Sequence, residues 1–262
     1  MHLPYLQGEY GGLPNGKMPF FLNPPYFADH VLPQGDAALQ IISFPLIAAT
    51  PQDTFYDHKR GGDALLSDVE MGTFARGMMG SIQDVPTRGH CERVSGFAEG
   101  TARAMGLTGQ EVRDVRYGAL LHDVGKAFIP REILGKDSGL TPGEWEVMKQ
   151  HPEYGFRLLS NYQWCAPDIL TAALMHHERP DGNGYPSGLR GDEIPLGVRI
   201  ISAADAFDAM TSERSYSLPL HRHEALGRLE GGMGTQFDWD VVDALRGVIN
   251  DRMAPVHQTL MC

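Results

Sequence analysis

The chain has 262 residues, with 22 lysines and arginines against 33 aspartates and glutamates, and a formal net charge of -11 at pH 7. That length allows one generous core, or a catalytic domain with a smaller appendage. The acidic balance excludes the broad basic field with which proteins grip duplex DNA, RNA or an anionic membrane surface, so an anionic substrate must be held locally.

The first 16 residues, MHLPYLQGEYGGLPNG, lack the basic start and apolar run of a signal peptide. Residues 1 to about 35 are dense in Gly, Pro and aromatics with no helical period, and read as irregular chain. The most apolar stretch, Ala37 to Thr50, is interrupted by Pro45 and falls short of the roughly 20 residues that cross a bilayer. Residues 36 to about 85 are mixed in pattern and match no functional module. The three cysteines, Cys91, Cys165 and Cys262, are scattered and form no Cys-x-x-Cys pair, as expected of a reduced, cytoplasmic chain.

From Thr87 onward amphipathic helices follow one another. Thr108-Gly-Gln-Glu111 and Thr141-Pro-Gly-Glu144 fit the capping box, with Pro142 at the favoured first helical position. The periodicity predicts helices at about 88–106, 109–122, 142–160, 166–177, 196–212, 221–230 and 238–252, with a Gly- and Pro-rich loop from Glu178 to Pro195. The expected fold is all-α, a compact helical bundle with its site between helices. The expected division is a small, partly irregular N-terminal region over 1–85 and a catalytic domain over 86–262.

Of eleven histidines, five stand where a metal site makes sense: His90, His122, His151, His176 and His177. Any one of them alone is more often a satisfied core residue than a ligand. Their company changes the reading. Asp123 closes the apolar run YGALL, and Asp205 lies inside the apolar stretch VRIISAADAFDAM; burying either carboxylate without a cation is costly. Imidazole and carboxylate donors without thiolate suit iron, manganese, nickel or cobalt, and zinc less specifically. Two such ions can activate a water and stabilise both oxygens of an in-line displacement at phosphorus. Lys126, one turn beyond His122, reads on position alone equally as an exposed lysine or as a group turned into the same cavity.

In these residues the chain closely resembles the HD-GYP family of bacterial metallohydrolases, which hydrolyse cyclic di-GMP. The resemblance runs in order through His90-Cys-Glu-Arg-Val94, LLHDVGKAFIPREIL, LTPGEWEVMKQHPEYGFRLL, HHERPDGNGYPSGLRGDEIPLGVRIISAADAFDAMTSERSY and GTQFD, over roughly residues 88 to 240. It implies two divalent metals, iron or manganese foremost, with nickel, cobalt or zinc as alternatives. One would take His90, His122, Asp123 and Asp205, the other His151, His176 and His177, with Asp123 as the bridge. It further implies a bridging-hydroxide mechanism, Lys126 and Asp123 as catalytic groups, and Arg214 clamping a substrate phosphate. In the GYP loop, Asp181, Gly182, Gly184, Tyr185 and Pro186 would shape the wall beside the metals, with Tyr185 toward the substrate. Glu178 would either orient a ligand histidine or cap local backbone.

The implied product is pGpG, GMP or both, and the implied partners are the cyclic dinucleotide, possible signalling proteins or a second copy of the chain. Two departures stand out. Some family members bind a third metal through a glutamate four residues before the first ligand histidine, where this chain has Pro86, with Asp84 close by. The family also commonly has basic residues after Arg-x-Tyr, where this chain has Ser217 and Leu218. That departure leaves hydrolysis of another cyclic dinucleotide, such as 3',3'-cyclic GMP-AMP, as an alternative. A non-catalytic nucleotide- or protein-binding signalling module is the other rival, as is an HD-type phosphohydrolase of mononucleotides or guanosine tetraphosphate, against which the GYP loop speaks.

Overall fold

The computed structural model describes residues 67–81, 85–162, 165–213 and 218–251. The expected irregular stretch before residue 67, Asp84 and Arg214 lie outside these residues. The helices are α1 (Asp68–Ser81), α2 (Val85–Ala104), α3 (Gly109–Leu121), α4 (Arg131–Leu134), α5 (Pro142–Met148), α6 (His151–Leu159), α7 (Pro167–Met175), α8 (Leu196–Thr211), α9 (Arg222–Gly231) and α10 (Trp239–Asp251). Short 3-10 turns occupy Val124–Phe128 and Gly191–Glu193. Among the described residues extended pairing is limited to isolated bridges such as Asp181 with Arg190, so the fold is all-α. None of the described helices is long and apolar enough to cross a membrane.

Both capping boxes form. The Thr108 and Thr141 hydroxyls accept from the Glu111 and Glu144 amides, and each glutamate carboxylate accepts from its threonine amide, at 2.8 and 2.7 Å. The expected helix over 142–160 is instead two helices, α5 and α6, separated at Lys149 and Gln150. Pro152 is the reason. It has no N–H to donate to the Met148 carbonyl four residues back, and the helix cannot run through that position unbroken.

The central helices α2, α3 and α8 pack on one another and on α10 through Val94, Ala98 and Ala102 of α2, Val112, Val115 and Ala119 of α3, and Ile200, Ala204 and Phe207 of α8. The four-residue spacing of Val94, Ala98 and Ala102 is one small-residue stripe that lets neighbouring backbones approach. A second core joins α3, α6 and α7 through Tyr117, Leu121, Leu158, Leu159 and Ile169. Met71, Ala75 and Met78 of α1 belong to this same core. The region before residue 85, in which the sequence marks no module, therefore contributes a helix to the bundle, and the expected boundary at 85/86 falls at the first residue of α2.

The 3-10 turn after α3 lies directly on the start of α6. A Cβ on Gly125 would sit 1.9 Å from the His151 carbonyl oxygen and 2.5 Å from the Gly155 amide nitrogen. Both neighbours are backbone and cannot swing aside. Gly125→Ala is expected to destabilise the protein by about 3 kcal/mol through overpacking, read from urea denaturation. Gly80→Ala, whose added Cβ meets nothing within 4 Å, should be neutral or slightly stabilising in the same experiment.

Candidate metal centre

Three of the histidines stand at helix ends, where carbonyls lack their intrahelical donors. His122 caps the C-terminus of α3 with its Nδ1 2.6 Å from the Ala119 carbonyl oxygen. His176 caps α7 in the same way, 3.1 Å from the carbonyls of Ala172 and Ala173. His151 opens α6 with its Nδ1 2.8 Å from the Met148 carbonyl, the acceptor that Pro152 leaves without a helical donor. A carbonyl only accepts. Each of these Nδ1 atoms therefore carries the ring proton, and each Nε2 of a neutral ring presents a lone pair to the interior.

Those lone pairs converge. His151 Nε2 and His176 Nε2 are 3.1 Å apart, and His122 Nε2 is buried with no hydrogen-bond partner. Facing lone pairs repel, and a buried acceptor without a donor costs about 1–3 kcal/mol. Cations accepted by these nitrogens, one by His151 and His176 and another by His122, remove both penalties, so the residues present fit metal binding.

Asp123, 1% exposed, stands at the middle. Its Oδ2 lies 2.6 Å from Lys126 Nζ, 3.3 Å from His122 Nε2 and 4.0 Å from His90 Nε2. Its Oδ1 lies 3.3 Å from His151 Nε2 and 3.8 Å from His176 Nε2. Donor atoms of His90, His122 and Asp123 all fall within 4.8 Å of one another, as do those of His151, His176 and His177. One carboxylate thus turns its two oxygens toward two groups of imidazoles. Asp205 reaches the first group from α8, with Oδ1 3.0 Å from His90 Nε2. His177 packs at the edge of the second, its ring stacked on Tyr185 at 4.7 Å between centroids.

The electrostatics keep the carboxylates ionised and the His176 and His177 rings neutral, the forms that bind a metal. Burial opposes the charge of Asp123, yet the Lys126 ammonium holds its carboxyl well below the usual carboxylate range. Burial likewise disfavours ionised Asp205, and His90 and His122 reverse the effect. Burial, with the neighbouring imidazoles, pushes His176 far down and His177 down to about 3. Lys126 is opposed by burial but raised by Asp123, and remains an ammonium.

His90 is orthogonal to this scheme, because it sits inside α2 where carbonyls are already bonded. Asp208 takes their place: its Oδ2 lies 2.7 Å from His90 Nδ1, and Arg93 holds the same carboxylate with two hydrogen bonds at 2.7 and 3.0 Å. The sequence reading missed Asp208, although it lies in the same apolar helix as Asp205 and is open to the same argument about a buried carboxylate. It also assigned no role to Arg93. Glu178 proves to be a loop cap: its carboxylate accepts from the Ser187 and Leu189 amides at 2.6 and 3.0 Å. Gly184 is needed for a close approach, since a Cβ there would lie 2.5 Å from the Glu178 Cα. Asp181 pairs with Arg179 and accepts from the Asn183 amide, which braces the loop rather than facing the donors.

Two expectations follow. Asp208→Asn should weaken divalent-metal affinity about ten- to hundred-fold, the usual effect of removing a histidine's orienting carboxylate, measured by competition with a chelator. The second concerns pH. Burial lowers the pKa of His90, but hydrogen bonds to Asp205 and Asp208 overcome it and push it up to about 9 from an ordinary 6.5. A raised folded-state pKa contributes stability that is complete below about pH 6.5 and lost as pH rises through about 9. The melting temperature of metal-stripped protein should fall across that window, and His90→Ala should flatten the fall.

A model of the HD domain matches residues 78–241. The chain is similar to a cyclic di-GMP phosphodiesterase of Thermotoga maritima, 42% identical over 64% of this chain and 46% of the relative. It is also similar to the cyclic di-GMP phosphodiesterase response regulator RpfG of Xanthomonas campestris, 44% identical over 62% of this chain and 43% of the relative. The chain thus spans less than half the length of these curated relatives. Among solved structures, an HDG"Y"P protein from Bdellovibrio bacteriovorus has the same fold, with a TM-score of 0.55 at 17% identity over 70% of this chain and 64% of that one.

Proposed function

The chain belongs to the HD domain family, and we propose that, as a member of its HD-GYP branch, it is a metal-dependent phosphodiesterase that hydrolyses cyclic di-GMP to pGpG, GMP or both. The observation that carries this reading is the position of Asp123, with one oxygen toward His122 and His90, the other toward His151 and His176, and Lys126 Nζ at 2.6 Å. His90, His122, Asp123 and Asp205 would hold one divalent ion, and Asp123, His151, His176 and His177 a second. Iron or manganese suits this set of imidazoles and carboxylates without thiolate. Bound there, the two ions would supply an activated water and neutralise charge on the phosphate.

The protein's own groups do the rest. Asp123 fixes the Lys126 ammonium, and Asp123 in turn keeps it protonated. That ammonium neutralises a non-bridging phosphate oxygen, and it can give its proton to the departing 3' oxygen, because a ribose hydroxyl is a far weaker acid than an alkylammonium. His151 and His176, pinned through Nδ1 to main-chain carbonyls, keep their donor atoms aimed without needing to reorganise. Arg214 would clamp the second phosphate through its guanidinium. Leu218, 89% exposed, stands where the HD-GYP pattern has a basic residue, which favours testing 3',3'-cyclic GMP-AMP beside cyclic di-GMP.

Protein purified without oxygen should contain close to two iron or manganese ions per chain and convert cyclic di-GMP to pGpG or GMP. His122→Ala with Asp123→Ala should lose at least a thousand-fold in kcat while far-UV circular dichroism stays helical. Undiminished turnover by that double variant would sink the assignment. Turnover confined to 3',3'-cyclic GMP-AMP would move it to the second substrate.

A further inference from the structure

Trp145 is 45% exposed, an unusual place for the largest apolar side chain. It rises from α5, whose start is fixed twice: by the Thr141–Glu144 capping box, and by Lys136, whose Nζ lies 2.6 and 2.9 Å from the two Glu144 carboxylate oxygens. The indole meets the edge of Tyr185 with ring centroids 6.4 Å apart at 77°. Tyr185 in turn lies nearly parallel to His177, at 25° and 4.7 Å. The Tyr185 hydroxyl is close enough to the centre to have its pKa raised, by burial first and then by Asp123 and Asp205. A continuous aromatic surface therefore leads from the innermost imidazoles, through Tyr185, to a half-open indole on a braced helix.

Such a surface suits one part of a cyclic dinucleotide and no other. The phosphates require cations, which an aromatic wall does not supply, and the riboses offer hydroxyls that an indole, with one N–H and no acceptor, satisfies only in part. A purine has a wide apolar face that stacks on an indole. We propose that Trp145, backed by Tyr185, is the subsite for a purine base of the substrate. It positions the nucleotide whose phosphate lies at Lys126 and Asp123. This rests on the proposed cyclic-dinucleotide phosphodiesterase activity, but it makes a separate prediction about purine binding.

The test uses the metal-loaded protein and two variants, Trp145→Ala and Trp145→Phe. The alanine variant should raise KM for cyclic di-GMP about ten-fold, the usual scale of one base-aromatic stack, with kcat within about two-fold and metal content unaltered. The phenylalanine variant should recover most of that loss. Independently of turnover, GMP should quench tryptophan fluorescence in the unaltered protein, ribose 5-phosphate should not, and the quench should be absent from Trp145→Phe. An unchanged KM in the alanine variant, equal quenching by the two ligands, or a quench that survives in the phenylalanine variant overturns the subsite. If no cyclic dinucleotide is turned over but GMP still quenches Trp145 selectively, the activity fails and the purine subsite stands.

Discussion

The structure depends on keeping one carboxylate charged in a place that water hardly reaches. Asp123 is 1% exposed, and moving such an ion out of water costs several kcal/mol even after relaxation. Lys126 compensates from three residues along the same chain, and the imidazoles of His122, His151 and His176 crowd the same carboxylate from the ends of three helices, where a cation would join them to it. None of these partners can withdraw without leaving the charge exposed to the interior. The ends of α3 and α7, the start of α6 and the flanks of α2 and α8 must therefore meet at this point, and the two apolar cores lie on either side of it.

Helix ends are the device that turns this convergence into defined chemistry. A terminal carbonyl needs a donor, and an imidazole placed there supplies one, which fixes both its tautomer and its direction. His122, His151 and His176 all use it. His90 cannot, because it lies within a continuous helix, and so Asp208 and Arg93 act as an imported acceptor and its clamp. The contrast explains why the centre needs a second buried carboxylate on α8 at all. It is the price of drawing a donor from mid-helix.

Much of this was legible in the sequence, and the misses have local causes. The capping boxes at Thr108 and Thr141 marked two helix starts correctly, because both partners of each box are within one turn. The break between α5 and α6 was overlooked although Pro152 announces it. Helix α1 was missed because DVEMGTFARGMMGS carries three glycines, which cost helix propensity, and its Met71, Ala75 and Met78 stripe gains stability by packing against α3 and the 3-10 turn that follows it. Five histidines and two aspartates were read as one site from residue type and burial cost. Their pairing, with Asp123 facing two groups, was not derivable from spacing, since the donors come from elements spread over more than a hundred residues. Asp208 was not singled out, although it lies one turn from Asp205 in the same helix and a buried carboxylate there is open to the same argument about cost.

On the proposed function, the charge of the site resolves the apparent conflict between an acidic chain and a doubly anionic substrate. Without metals, the carboxylates of Asp123 and Asp205 are offset by the ammonium of Lys126 and by His90, whose pKa is pushed up to about 9, while the low pKa values of His176 and His177 keep those rings neutral. The metal-free pocket then offers phosphate no excess of positive charge, and the overall charge of -11 opposes its approach. Two divalent cations held there would make the site positive locally, because surrounding salt screens the field beyond about 10 Å. Substrate recognition and metal loading would in this way be one electrostatic event. On the same reading, the acidic exterior would keep polyanions such as nucleic acids away from a centre otherwise open to any phosphodiester small enough to enter.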